Sequence, residues 1–272
     1  MVDLATALGV GIIATFVPLL AGLVLPKYVA KLNYQHITIW LVATATGIIF
    51  WFFIDVMNDA TQLDIIAGFG NGLGDYTHPI LALSFALGVG ILFGLERRYS
   101  TSKLVATSNN NPHLQSKWGP AISGMTFAIA GIAALGIGFH AFGEGMDIGT
   151  SLPGAPDIIG AIGGFYPGIA YVLHKLLEGF VVGVFAVVAS ARSVRKIGIL
   201  AVLSGVPTVI GFFTGLPSVL PSSYFFALGS AGAVYVELKL IPILAQSGKL
   251  YASVVPLLLG FYAMYFAGLF HN

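Results

Sequence analysis

The sequence predicts an all-α polytopic membrane protein, a bundle of eight transmembrane helices with both termini extracytoplasmic. Three observations carry that prediction. Of 272 residues, 57% are hydrophobic and only 8% charged, with a mean hydropathy of +0.92; a soluble domain carries about 25% charged residues. Apolar runs of roughly 20 residues, the length needed to cross hydrocarbon, occur eight times. Lysine and arginine gather in alternate connections between those runs.

In order, the runs are 4–25, 37–56, 79–95, 119–149, 168–191, 197–216, 224–244 and 250–270. The first follows Asp3 with no basic segment before it, so a true span is expected rather than a cleaved signal. The fourth is long and glycine-rich, and is expected to tilt or to extend beyond the bilayer. With 35 glycines in the chain, close helix–helix approach is expected throughout.

Orientation follows from the cations. Lys27 and Lys31 join the first two runs; Arg97, Arg98, Lys103 and Lys117 lie between the third and fourth. Arg192, Arg195 and Lys196 join the fifth to the sixth, and Lys249 the seventh to the eighth. Connections 57–78, 150–167 and 217–223 have no Lys or Arg but hold Asp59, Asp64, Asp75 and Asp157. Ten of twelve cationic residues thus share one side, the cytoplasmic side by the positive-inside rule. The polar stretch 97–118, RRYSTSKLVATSNNNPHLQSKW, reads as a cytoplasmic linker within one transmembrane domain spanning 1–272. Its His113 alone is weak ground for metal capture.

Several function classes drop out. Without cysteine there is neither a disulfide framework nor thiolate metal chemistry. A net charge of +1 and no basic cluster give no support to nucleic-acid binding. No G-x-x-x-x-G-K-[ST] motif occurs, so ATP-driven chemistry is not expected.

The ionisable residues inside the runs are the informative ones. His140, Glu144, His174, Lys175, Glu178, Glu237 and Lys239 lie within spans, with Asp55 and Asp147 near span edges. Each charge at membrane depth costs roughly 2.5–3.5 kcal/mol on insertion scales, so such residues usually mark a site or pathway. HAFGEGMDIG (140–149) and HKLLEGFVVG (174–183) both read H-x-x-x-E-G-x-x-x-G. Residues i and i+4 share a helix face, so each helix presents an imidazole with a carboxylate. If the two faces meet, two nitrogens and two carboxylates converge, a donor set for a divalent first-row metal. The competing reading is that each pair only satisfies itself. The Gly145/Gly149 and Gly179/Gly183 spacings predict close packing of the fourth and fifth helices. Asp147 is either an entrance ligand on the same face or a solvated helix-end carboxylate. Asp55 and Asp59 are either capture residues or interface anchors. Glu237 is expected to pair across the bundle or line an exit, and Lys239 to snorkel toward the cytoplasm.

At these residues the chain resembles the ZIP (Zrt/Irt-like) family of divalent-metal transporters. His140, Glu144, Gly145 and Gly149 match that family's fourth-span motif H-x-x-x-[DE]-G-x-x-x-G; His174, Lys175, Glu178 and Gly179 match its fifth-span H-[EK]-x-x-E-G. GVPTVIGFFTG (205–215), SAGAVYVEL (230–238) and LLLGFYAMY (257–265) are similar to its sixth, seventh and eighth spans. The resemblance covers about 119–270; the first three runs match loosely, through FFIDVMNDA (52–60) and GILFGLERR (90–98). It implies a metal held by His140, Glu144, His174 and Glu178 and passed inward by alternating access. Some members hold a second metal through polar residues just after the two histidines. Here Ala141 and Lys175 stand there, and the hypothesis is that the Lys175 ammonium replaces that second ion.

The expected function is therefore transport of a divalent transition metal into the cytoplasm, zinc first, with iron, manganese and cadmium as alternatives. The ion is the transported substrate, and no prosthetic group, enzymatic activity or nucleic-acid partner is expected. The plasma membrane is the default location, and a homodimer is one assembly open to such a bundle. An intramembrane metalloenzyme would use the same His/Glu set, but H-E-x-x-H is missing, and a di-iron site wants Glu-x-x-His. A retinal protein using Lys239 would leave the paired motifs unexplained.

Overall fold

The computed structural model describes residues 4–32, 36–61, 77–100, 124–155, 158–191, 193–217 and 222–269. Among them every regular element is helical, and eight helices are long and apolar enough to cross a membrane. They are α1 (Leu4–Ala30), α2 (Ile37–Thr61), α3 (Thr77–Ser100), α4 (Phe127–Ser151), α5 (Phe165–Val188), α6 (Val194–Gly215), α7 (Ser223–Gln246) and α8 (Leu250–Gly268). A 3-10 turn at Leu152–Gly154 and a short helix at Ile158–Ala161 lie between α4 and α5.

All eight expected spans are present, with their ends moved by a few residues. The largest change is at α4, expected from 119. It begins only at Phe127, where the Thr126 hydroxyl accepts a hydrogen bond from the Ile129 amide (3.3 Å) and caps the helix. α3 runs past its apolar stretch to Ser100, since Arg97 and Arg98 in its last turn suit the negative end of the helix dipole. Most of the polar linker, with His113, lies outside the described residues, as do Asp64, Asp75, Asp157 and the side chain of Asp59.

Large apolar side chains such as Val17, Leu83 and Phe266 face outward. Tyr28, Trp40, Tyr99 and Tyr251 are exposed near the end of α1, the start of α2, the end of α3 and the start of α8. Those are the helix ends that also carry Lys27, Lys31, Arg97, Arg98 and Lys249, the mark of one membrane–water interface.

α4 packs along α6 and α5 along α1, while α2 lies against α8 and α3 against α7, with α2 and α7 touching at the centre. Each pairing has its counterpart when α1–α3 are exchanged with α6–α8 and α4 with α5. Successive spans alternate in direction, so the two triplets are inverted relative to one another.

The glycines explain the pairing and correct the expectation that they bring α4 and α5 together. A Cβ on Gly145 or Gly149 would strike the carbonyls of Thr208 and Phe212 in α6; on Gly179 or Gly183 it would strike those of Leu19 and Leu23 in α1. The reason is angular, because each residue turns about 100° round the helix from the one before. Gly145 and Gly179 therefore face away from the side that carries the histidines and glutamates. α4 and α5 are pressed from behind, by α6 and α1.

Gly179→Leu should force α1 and α5 apart at a cost of about 3 kcal/mol, read as loss of monodisperse folded protein. Gly94→Ala, where nothing lies within 4 Å of the new Cβ, should be neutral or stabilising by up to about 1 kcal/mol. Equal tolerance of both would contradict this packing.

Candidate metal centre

With their small faces turned outward, α4 and α5 bring their polar faces together at the centre of the bundle. His140, Glu144, His174 and Glu178 are all at most 7% exposed. One ligand atom from each lies within 4.8 Å of the others. His140 Nε2 is 3.3 Å from Glu144 Oε1 and 3.7 Å from Glu178 Oε1, and His174 Nε2 is 3.4 Å from Glu178 Oε1. Four ligands at about 2.0–2.1 Å around a tetrahedral zinc stand ~3.3–3.4 Å apart; the three contacts at 3.3, 3.7 and 3.4 Å are near that spacing, and the wider pairs, within 4.8 Å, would draw in around an ion. The two imidazoles stack, with ring centres 5.5 Å apart and planes inclined by 20°.

Neither ring nitrogen of His140 makes a hydrogen bond, nor does Glu178 Oε1. Buried polar atoms are usually satisfied, and a shared cation would satisfy these together. Two imidazoles with two carboxylates suit zinc, iron(II) or manganese, whereas an all-oxygen set would favour magnesium or calcium.

Lys175 sets the orientation of the carboxylates. Its Nζ donates to Glu178 Oε2 at 2.7 Å and pairs closely with Glu144 Oε2. Both Oε2 atoms are therefore taken by the ammonium, and both Oε1 atoms are left facing the histidines. The equivalent position on α4 is Ala141, so this lysine breaks the internal symmetry of the site. Its Nζ also lies 5.6 Å from the ring centre of Tyr171, whose hydroxyl shares a 2.7 Å hydrogen bond with that of Thr15 on α1.

Neighbouring helices wall the centre. Phe52 on α2 meets His140 edge-on, with ring centres 4.7 Å apart, and lies 5.5 Å from the His174 ring. Phe226 on α7 lies 5.4 Å from the His140 ring. A Cβ on Gly229 would come 2.6 Å from His140 Cα, so glycine there lets the α7 backbone seat the histidine. Phe52, Gly229 and the Thr15–Tyr171 bond have no sequence signal that separates them from ordinary packing.

The remaining candidates lie outside the cluster. Asp147 is exposed, and its Oδ1 accepts a 2.6 Å hydrogen bond from Ser222, just before α7. Asp55 sits beside Gly268 at the end of α8. Glu237 is half-buried, and both its carboxylate oxygens are without a hydrogen-bond partner. Lys239 does more than snorkel: its Nζ donates to Glu96 on α3 at 2.6 Å, between the rings of Tyr235 and Phe93. Glu96 directly follows the third run, 79–95, and the pairing emerges only when α3 meets α7.

No protein-family model matches the chain, and no curated protein matches it.

Lys175→Met removes the only cation contacting the two buried glutamates among the described ion pairs. Breaking a buried pair typically costs about 3–5 kcal/mol, so the chelator-treated variant should melt well below wild type. Zinc should then raise its melting temperature by more than it raises that of wild type. A variant that melts like wild type in chelator would refute this role for Lys175.

Proposed function

We propose that this chain is a ZIP-like transporter that moves a divalent transition-metal ion, zinc first, into the cytoplasm by alternating access. The observation that carries the proposal is the convergence of two imidazoles and two carboxylates, all buried, at the centre of eight spans. Ionisable groups at membrane depth are costly and tend to be kept where an ion passes. Ligands buried this completely describe an occluded form, and release requires the walls to part.

The architecture suggests where they part. α4 with α6 and α5 with α1 form tight pairs, and α2, α3, α7 and α8 pack on one another, with α7 also lying closely along α4 at Gly232/Gly136 and Gly229/His140. Movement of α1, α4, α5 and α6 as one group against the other four, with α4 sliding along α7, would uncover the ligand set without breaking either pair. Beside Glu144 and one turn from Lys175, a cavity of about 60 Å³ borders Gly145, Tyr171, Thr15 and Thr208, with a mostly apolar wall that includes Leu8, Ile148 and Phe212. We assign it to the outer side, where the Thr15–Tyr171 bond separates it from the ligands, and place Asp147 at the entrance beyond.

Lys175 fits a carrier's need to bind and then let go. With neutral imidazoles the two glutamates and the lysine sum formally to −1, and a divalent ion brings the site to +1. Two unit charges about 4 Å apart interact by roughly 4 kcal/mol at an effective dielectric constant near 20, so the ammonium weakens retention of the ion. It thereby stands in for a second metal and keeps the centre to one ion. Ligands must be deprotonated to take up metal, so binding displaces any protons held by the four residues.

Proteoliposomes loaded with a fluorescent metal chelator should take up zinc, with iron(II), manganese and cadmium as comparisons. Glu144→Ala and Glu178→Ala should each abolish flux while eluting as folded protein, and acidifying the outside should slow wild-type uptake. Stoichiometric zinc binding with no flux would overturn the transport proposal and point to a catalytic or sensing centre.

A further inference from the structure

A second cavity, apolar in its wall and basic at its rim, lies where α1 and α5 end and α6 begins, with none of the four His/Glu residues lining it. It measures about 280 Å³, and Lys27, Ala30, Lys31, Ala186, Ala191 and Ile197 line it. Small-molecule sites run to roughly 300–1,000 Å³, so it suits a headgroup-sized ligand. Three alanines in its wall leave the space open. Among the described residues that line it, none is acidic.

Its depth and charge identify the ligand class. Lys27 in the last turn of α1 and Lys31 just past its end both border the cavity. Lys31 Nζ lies 4.9 Å from the ring centre of Tyr28, which is 59% exposed, at the level of the aromatic belt. Ile197 is in the first turn of α6, so the positive end of that helix borders the cavity. Arg195 and Lys196 occupy the same turn, where the helix dipole disfavours cations. Neither lines the cavity, and the Lys196 Nζ lies 5.4 Å from the Phe127 ring centre; both add to the positive potential at this end of the bundle.

We propose that this cavity is a phosphate-binding site, filled in the membrane by the headgroup of an acidic phospholipid and braced by Lys27 and Lys31. The apolar part of the wall, with Ile197 and the alanines, accommodates the start of the acyl chains, and basic pockets between spans at the interface bind such headgroups. Because α1 and α5 both line the site, an occupied headgroup would strengthen their pairing behind the metal ligands.

The test is thermal melting of the full-length protein in mild detergent. Micelles doped with dioleoyl-phosphatidylglycerol should raise the wild-type melting temperature by about 5 °C, and dioleoyl-phosphatidylcholine should not. Lys27→Gln with Lys31→Gln should lose the shift, Lys27→Arg with Lys31→Arg should keep it, and the charge-matched Arg97→Gln with Arg98→Gln should also keep it. An equal shift with inorganic phosphate would support the site and identify its ligand as the free anion. An equal shift in the Lys→Gln pair, or with phosphatidylcholine, or no shift in wild type, would overturn the proposal. None of these outcomes depends on metal flux.

Discussion

The structure depends on keeping two carboxyl groups buried at the centre of the bundle. Glu144 and Glu178 are at most 7% exposed, and burial of an unpaired charge is among the costliest things a fold can do. Lys175 meets that cost with one ammonium shared between the two glutamates. It also divides the oxygens, taking Oε2 from each and leaving Oε1 toward the histidines. A bare pair of His–Glu contacts would satisfy fewer atoms, and a self-sufficient hydrogen-bonded cluster would leave no donors for an ion. The site lies between these extremes: compensated enough to fold, unsatisfied enough to bind.

The glycine-lined interfaces serve that constraint. By drawing α6 onto the back of α4 and α1 onto the back of α5, they fix the rotation of both ligand helices. Phe52, Phe226 and Gly229 then close the remaining sides around the imidazoles. Inverted packing makes the two His–Glu pairs near-equivalent, and Lys175 opposite Ala141 makes them unequal. That asymmetry places one ammonium against both carboxylates on one side of the cluster only.

Much of this was legible in the sequence. The spans follow from apolar length, and the ligand set follows from a four-residue spacing that is stated locally on each helix. What was not legible depends on which faces meet. Gly145 and Gly179 carry a small-residue signal that says some helix comes close, but not which one, so α6 and α1 were missed as their partners. Lys239 looked like a snorkelling cation because Glu96 lies 143 residues away along the chain. Phe52 and Gly229 are common residue types in any apolar helix, and only the assembled bundle gives them a role.

The central claim is that one divalent ion is held by two imidazoles and two carboxylates between α4 and α5. X-ray absorption at the zinc edge, on protein loaded with one equivalent of zinc, addresses it directly. The account predicts a four-coordinate shell of nitrogen and oxygen at about 2.0–2.1 Å, with imidazole scattering beyond it that is lost in His140→Ala with His174→Ala. A hydrated six-oxygen shell without imidazole, or a signal unchanged in that double variant, would contradict it.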